Sequence, residues 1–124
     1  MVTGVTEQQE DPAYKLEDIQ MIAANGNRLS YGSTKVGEDA EELECSMEEI
    51  LRCIATLSPN DFRHSQRYEL LAKGRGAKRK FALWQDVYHV RFRTPIGAMD
   101  LYVKLSIFTD CVVLHSFHPK GQHR

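Results

Sequence analysis

The chain is short of several things. Its three cysteines, Cys45, Cys53 and Cys111, form no paired motif. An odd count at such spacings argues against a disulfide framework and against a thiolate zinc site. No apolar run approaches the roughly 18 residues that would suggest a membrane-spanning helix. The opening stretch MVTGVTEQQEDPAY has neither a basic start nor an apolar segment, so no secretory leader is expected, and the protein is expected to be cytoplasmic. There is one tryptophan, Trp84, and the formal net charge is only −1.

That small net charge conceals a division. Residues 1–50 hold 12 acids and 3 bases, a net of −9, whereas residues 51–124 hold 5 acids and 13 bases, a net of +8, together with all five histidines. Such asymmetry fits either a second half that meets a polyanion or basic strands that offset acidic helices within one molecule.

Helical signals come first. Asp11-Pro12 offers a cap and a first-turn proline, and Leu16, Ile19, Ile22 and Ala23 follow at helical spacing until Asn25-Gly26. GEDAEELE (37–44) predicts a short acidic helical turn with Ala40 and Leu43 inward. Ser46-x-x-Glu49 is a capping box ahead of the stripe Met47, Ile50, Leu51, Ile54 and Leu57. Ser58-Pro59 predicts one more short turn.

From about His64 the period changes to two. FALWQDVYHVRFR (81–93) places Trp84, Asp86, Tyr88, Val90 and Phe92 on one face and Leu83, Gln85, Val87, His89 and Arg91 on the other. TPIG (94–97) is a turn. DLYVKLSIF alternates Leu101, Val103, Leu105 and Ile107 with Tyr102, Lys104, Ser106 and Phe108. Thr109-Asp110 turns the chain into CVVLHSFH (111–118). The order predicts an α+β fold, with N-terminal helices packed on a C-terminal antiparallel sheet. The expected division is a flexible tail over 1–13, one domain over 14–120 and a short tail over 121–124. Trp84, Val87, Leu101, Val103, Leu105, Val113 and Leu114 are expected in the core. Asp86, sharing a face with Trp84 and Tyr88, is expected to fix a loop or a helix end.

KGRGAKRK (73–80) carries five bases and two glycines. It predicts a mobile loop between strands, where Lys73, Arg75, Lys78, Arg79 and Lys80 could neutralise phosphates. The strands project Gln85, His89, Arg91, Tyr102, Lys104 and His115 or His118, with His64 just ahead of the sheet. Clustered carboxylates of the kind that bind Mg²⁺ are missing from this set. It suits metal-free work on a phosphodiester, with cations holding phosphate charge and a histidine moving the 2′-OH proton. On pattern alone, a solvated sheet face remains the other reading.

LSPNDF (57–62), WQDVY (84–88), DLYVKLSI (100–107) and HSFHPK (115–120), in this order, resemble the MqsR family of bacterial mRNA interferase toxins. The helix, turn and short-helix order of residues 15–43 follows it too. The resemblance implies a RelE-like α+β fold and metal-independent, sequence-specific cleavage of mRNA by 2′-OH attack on the adjacent phosphate. It also implies a partner antitoxin with a zinc-binding domain and a helix-turn-helix, no cofactor, and no membrane. The family's functional residues run Lys, Gln, Tyr, Lys. The Gln carries over to Gln85 and the Tyr to Tyr102, whereas the lysine positions hold His64 and His118. The implied catalytic set is therefore His64, Gln85, Tyr102 and His118. Arg63, Arg91, Lys104 and the five bases of residues 73–80 are the expected RNA contacts. The two lysine-to-histidine departures leave open a non-catalytic RNA- or partner-binding module on the same fold.

Overall fold

The computed structural model describes residues 2–73 and 78–121, and the side chains within 7–69 and 82–121. The elements are β1 (Val2–Gln9), α1 (Leu16–Ala23), β2 (Leu29–Tyr31), α2 (Thr34–Glu42), α3 (Met47–Thr56), β3 (Phe62–Lys73), β4 (Lys78–Thr94), β5 (Gly97–Phe108) and β6 (Cys111–Pro119). The six strands form one sheet in the order β1-β3-β4-β5-β6-β2, antiparallel except where β2 runs parallel to β6. The α+β layout is as the sequence predicts, with two additions. β2 is only three residues long, too short to show a period, and it makes the sheet mixed. Residues 2–9, expected as a loose tail, add β1 along β3, where backbone pairing holds a segment with little apolar content.

α3 forms where its capping signal places it. Ser46 Oγ accepts from the Glu49 amide at 3.3 Å and donates to its carboxylate at 3.2 Å. Ile50, Cys53 and Ile54 are buried, and Leu57 ends the helix in extended backbone before Ser58-Pro59. α2 begins three residues earlier than GEDAEELE suggests and buries Val36, Asp39 and Ala40. α1 begins at Leu16, not after Asp11-Pro12. The reason lies in β4: Asp86 Oδ1 and Oδ2 accept from the amides of Ala13 and Tyr14, both at 3.0 Å. A carboxylate reached from the sheet thus takes the donors that a local cap would have used. Asp86 fixes the entry to α1, as its place on the strand predicts. Tyr14 Oη donates to the Trp84 carbonyl at 2.8 Å, a second tie to the same strand. At the other end, Gln20 Nε2 donates to the carbonyls of Ile54 and Leu57 at 3.1 and 2.9 Å, serving the open C-terminus of α3.

The helices cover one face of the sheet. Tyr88, Val90, Phe92, Leu101, Val103, Leu105, Val112, Leu114 and Phe117 meet Ile19, Val36, Ala40, Ile50 and Ile54 there. Two core assignments are corrected. Val113 is half-buried, because Val112 and Leu114 take the inward positions and alternation sends Val113 outward. Trp84 is half-buried and outside the core cluster. Val87 is fully buried, but on the opposite face, between His64 of β3 and Lys104 of β5. At the β5–β6 turn Thr109 and Asp110 have φ of 47° and 61°, the geometry of a two-residue type I′ hairpin.

Replacing Asp86 with alanine strands two amide donors beside a buried hole. The expected cost is about 2–5 kcal/mol, read from urea unfolding midpoints. Asp86→Asn, which keeps one acceptor oxygen, should cost less. Hydrogen exchange in Asp86→Ala should rise first at residues 13–23.

Candidate functional site

The face turned away from the helices is polar, and alternation builds it. β3 contributes His64, Gln66 and Tyr68; β4 contributes Gln85, His89 and Arg91; β5 contributes Tyr102 and Lys104; β6 contributes His118. Cross-strand pairs align them: Gln66 with Gln85, His64 with Val87, Val87 with Lys104, His89 with Tyr102, and Tyr102 with His118. A bulge between Phe62 and His64 is the departure that matters. Phe62 stays on the helix side, with its ring edge against Tyr88 at 5.6 Å. The extra residue, Arg63, reaches the polar face, where its Nε donates to His89 Nδ1 at 3.3 Å.

Four side chains form a chain of hydrogen bonds. Lys104 Nζ donates to Tyr68 Oη at 2.7 Å, Tyr68 Oη donates to Gln66 Oε1 at 2.7 Å, and Gln66 Nε2 lies 3.0 Å from His64 Nε2. Lysine and the amide nitrogen can only donate, so the direction is set, and His64 Nε2 must accept. His64 is therefore neutral here, with its proton on Nδ1. Burial, and then the Lys104 charge, lowers its pKa in agreement. Lys104 also lies 4.9 Å from the Tyr68 ring centroid and 5.8 Å from that of Tyr102.

Beside this chain runs a row of rings. Tyr102 stacks on His118 at 5.1 Å with 8° between planes, and His89 lies 5.5 Å from Tyr102 on its other side. His118 Nδ1 is 2.9 Å from the Pro119 carbonyl, which can only accept. This fixes the proton on Nδ1 and leaves the basic lone pair on Nε2. Burial, and then Tyr68, raises the Tyr102 pKa, so its hydroxyl stays protonated. Burial lowers that of His89, followed by Lys120, Arg63 and His64.

All four residues of the expected catalytic set thus share one face. Gln85 is buried, facing Gln66 across the β3–β4 ladder. Lys104 is a half-buried member of the network, not a solvated lysine. Arg91 is exposed and pairs loosely with Asp100 at 3.4 Å. Of the basic segment 73–80, Lys73, Lys78, Arg79 and Lys80 fall on strand backbone. Their side chains, and all of Arg75, lie outside the described residues. Gln66 and Tyr68 were missed by motif matching, although the period of two starting at His64 puts both beside it. His115 stands apart, because the ladder shifts register between Lys104 and Leu105. Its Nε2 is 2.7 Å from Ser106 Oγ, and a Cβ on Gly32 would meet its Nδ1 at 2.8 Å. Among the described residues, no cluster of three or more His, Cys, Asp or Glu side chains is placed to hold a metal ion.

Residues 11–119 match the family described as motility quorum-sensing regulator, toxin of MqsA. The chain belongs to the MqsR toxin family. It is accordingly a toxin of a toxin–antitoxin system whose antitoxin is MqsA. The match spans every residue of the polar face and leaves out β1. No curated protein matches the chain. Among the described residues, no helix of this toxin is long and apolar enough to cross a membrane.

His115 makes the fold acid-sensitive. Burial, helped by the Lys104 charge, lowers its pKa to about 4. Between that value and the ordinary 6.5 the unfolded chain binds the proton and the folded chain does not. Stability is therefore complete above pH 6.5 and falls as the pH drops toward 4, by about 3 kcal/mol from this group. His115→Gln, which can still bond Ser106, should flatten that slope in urea titrations run at pH 4–7.

Proposed function

We propose that this toxin is a metal-independent endoribonuclease that cuts single-stranded mRNA, using His118 as base and His64 as acid. The observation that carries the reading is a pair of histidines on either side of Lys104 that share the Nδ1–H tautomer but differ at Nε2, which accepts from Gln66 in His64 and has no such donor in His118. His118 has its Nδ1 proton committed to a carbonyl and its Nε2 lone pair available. His64, on the far side of the face, is wired to a cation through Gln66 and Tyr68.

The proposed reaction uses those positions. His118 Nε2 takes the proton of a ribose 2′-OH. The 2′ oxygen bonds to the adjacent phosphorus, and the bond from phosphorus to the 5′ oxygen breaks. Protonated His64 gives its proton to that leaving oxygen. The products are a 2′,3′-cyclic phosphate and a 5′-OH end. Lys104 and the Tyr102 hydroxyl donate to the phosphate oxygens as negative charge builds there, and the buried Gln85 lies beside Gln66 beneath them. Tyr102 also holds the His118 ring by stacking. An imidazole exchanges protons without the large pKa shift that a lysine base would need. The resting network favours neutral His64, and the charge of a bound phosphodiester would offset that bias.

Purified toxin should cut a long mRNA in EDTA and leave cyclic phosphate and 5′-OH ends. An intact transcript, with salt-sensitive binding but no product, would instead support the binding-module reading. His118→Ala should lower kcat by about 10²–10⁴ while the protein stays folded.

Tyr68→Phe tests the wiring. Without the tyrosine proton the Gln66 amide is no longer held as a donor to His64, so His64 protonates more readily. The falling limb of kcat/KM, which reports the acid in the free enzyme, should move to higher pH.

A further inference from the structure

Next to the ring row lies a small polar cavity of about 250 Å³ that the proposed chemistry does not use. Its walls include Asp61, Arg63, His89, Arg91, Asp100 and Lys120. Three separate features bring its cations together. The β3 bulge delivers Arg63, β4 supplies His89 and Arg91, and the end of β6 carries Lys120 just past the Leu101–Pro119 pair. The Lys120 amide donates to the Asp100 carbonyl at 2.8 Å, which pins that end of the chain.

The charges do not cancel. Asp61 Oδ2 accepts from the amide and hydroxyl of Ser58, at 2.8 and 3.3 Å. Asp100 is engaged by Arg91. Arg63 donates through Nη1 to the Asn60 and Phe62 carbonyls, at 3.1 and 3.3 Å, and through Nε to His89, bonds that aim the guanidinium without neutralising it. The ion pairs found among the described residues include neither Arg63 nor Lys120. His89 receives from Arg63 on Nδ1, so its own proton sits on Nε2 and it too is a donor. The cavity therefore sets three cations, Arg63, Arg91 and Lys120, and an imidazole N–H against two carboxylates, a net of +1.

We propose that this cavity is a second phosphate subsite, which holds an RNA phosphate neighbouring the one that is cut. His89 contacts Tyr102 and lines the cavity as well, so the two sites adjoin along the sheet. A single strand laid across Tyr102 and His118 would place its next charged group here. The subsite rests on the reading of the polar face as an RNA surface. It adds a requirement of its own: a substrate must extend past the scissile bond on this side.

Inorganic phosphate is the first probe, followed by NMR of the histidine rings. Saturable shifts of the His89 ring are expected, weakened about tenfold or more in Arg63→Gln/Lys120→Gln. The second probe is a mixed-sequence 2′-O-methyl RNA, which cannot be cut and so reads binding alone. Its logarithmic affinity against logarithmic salt should lose about 1.4 of slope in the double variant, at ~0.7 per lost contact to a single strand. Lys120→Gln alone should lose about half of that and guards against misfolding caused by removing the Arg63 contacts. Phosphate shifts confined to His64 and His118, or an unchanged salt slope, would overturn the subsite. So would variants that bind RNA normally but lose affinity for the antitoxin, which would assign the cavity to an acidic protein segment. A wild-type protein that cuts no RNA defeats the nuclease reading, whereas the phosphate titration still decides the subsite.

Discussion

The fold turns on one buried carboxylate. Asp86 is fully enclosed, and burial raises its pKa against the pull of Ser65 and the Ala13 and Tyr14 amides. A charge placed there is costly unless donors surround it. Those donors come from the segment that enters α1, so satisfying Asp86 and docking the helix are one event. Gln20 then extends the same dependence to α3 by holding its last carbonyls. The helices bury the even residues of β4, which leaves the odd ones, Gln85, Val87, His89 and Arg91, to form the opposite face. The polar face is the by-product of a strand pinned at Asp86: a slip of one residue would exchange the two sets.

Electrostatically, the polar face is built against itself in the absence of a ligand. Lys104 lowers the pKa of both His64 and His115, and Lys120 and Arg63 act likewise on His89. Burial is the larger cause in each case, but the second cause always has the same sign. Basic groups are crowded on one surface, while the acids of the first half sit mainly in and around the helices. An anion bound among Lys104, His64 and His118 would reverse that penalty at once. The charge split of the sequence is thus only partly offset in space: Arg52 and Arg67 pair with Glu49 and Glu7 of the first half, whereas the cations of the polar face crowd together.

Much of this was legible in the residues. WQDVYHVRF announced both its faces through strict alternation, and Ser46 and Glu49 marked the start of α3. Thr94–Gly97 and Thr109-Asp110 carried turn chemistry, and the structure turns there. What was hidden was nonlocal. Asp11-Pro12 read as a helix start because its competitor, Asp86, is more than 70 residues away. β1 and β2 owe their strands to pairing with β3 and β6, not to any pattern of their own. The bulge at Arg63 is invisible in sequence, yet it decides that Arg63 and His64 stand on one side. Gln66 and Tyr68 were in plain sight at the right period, but a hydrogen bond from Lys104 on β5 gives them their meaning.

That bond also bears on the two family positions where histidine replaces lysine. A lysine there would combine fixed charge and proton transfer in one group, and its ammonium would have to lose a proton before acting as base. In the reaction proposed for this chain the tasks are divided. Lys104 supplies the permanent charge, held by the Tyr68 hydroxyl and the faces of two aromatic rings. The histidines are left to exchange protons, with tautomers fixed by Gln66 at one end and the Pro119 carbonyl at the other. A histidine acid must recover its proton near neutral pH, and a permanent cation close by works against that. The intervening Tyr68 and Gln66 soften the conflict: they place the lysine charge two side chains away from His64 while passing on its hydrogen-bond polarity. The exchange of lysine for histidine is therefore coherent only together with Gln66 and Tyr68. Considered as single substitutions the two histidines look like losses, but in the proposed reaction they are half of a rearranged site.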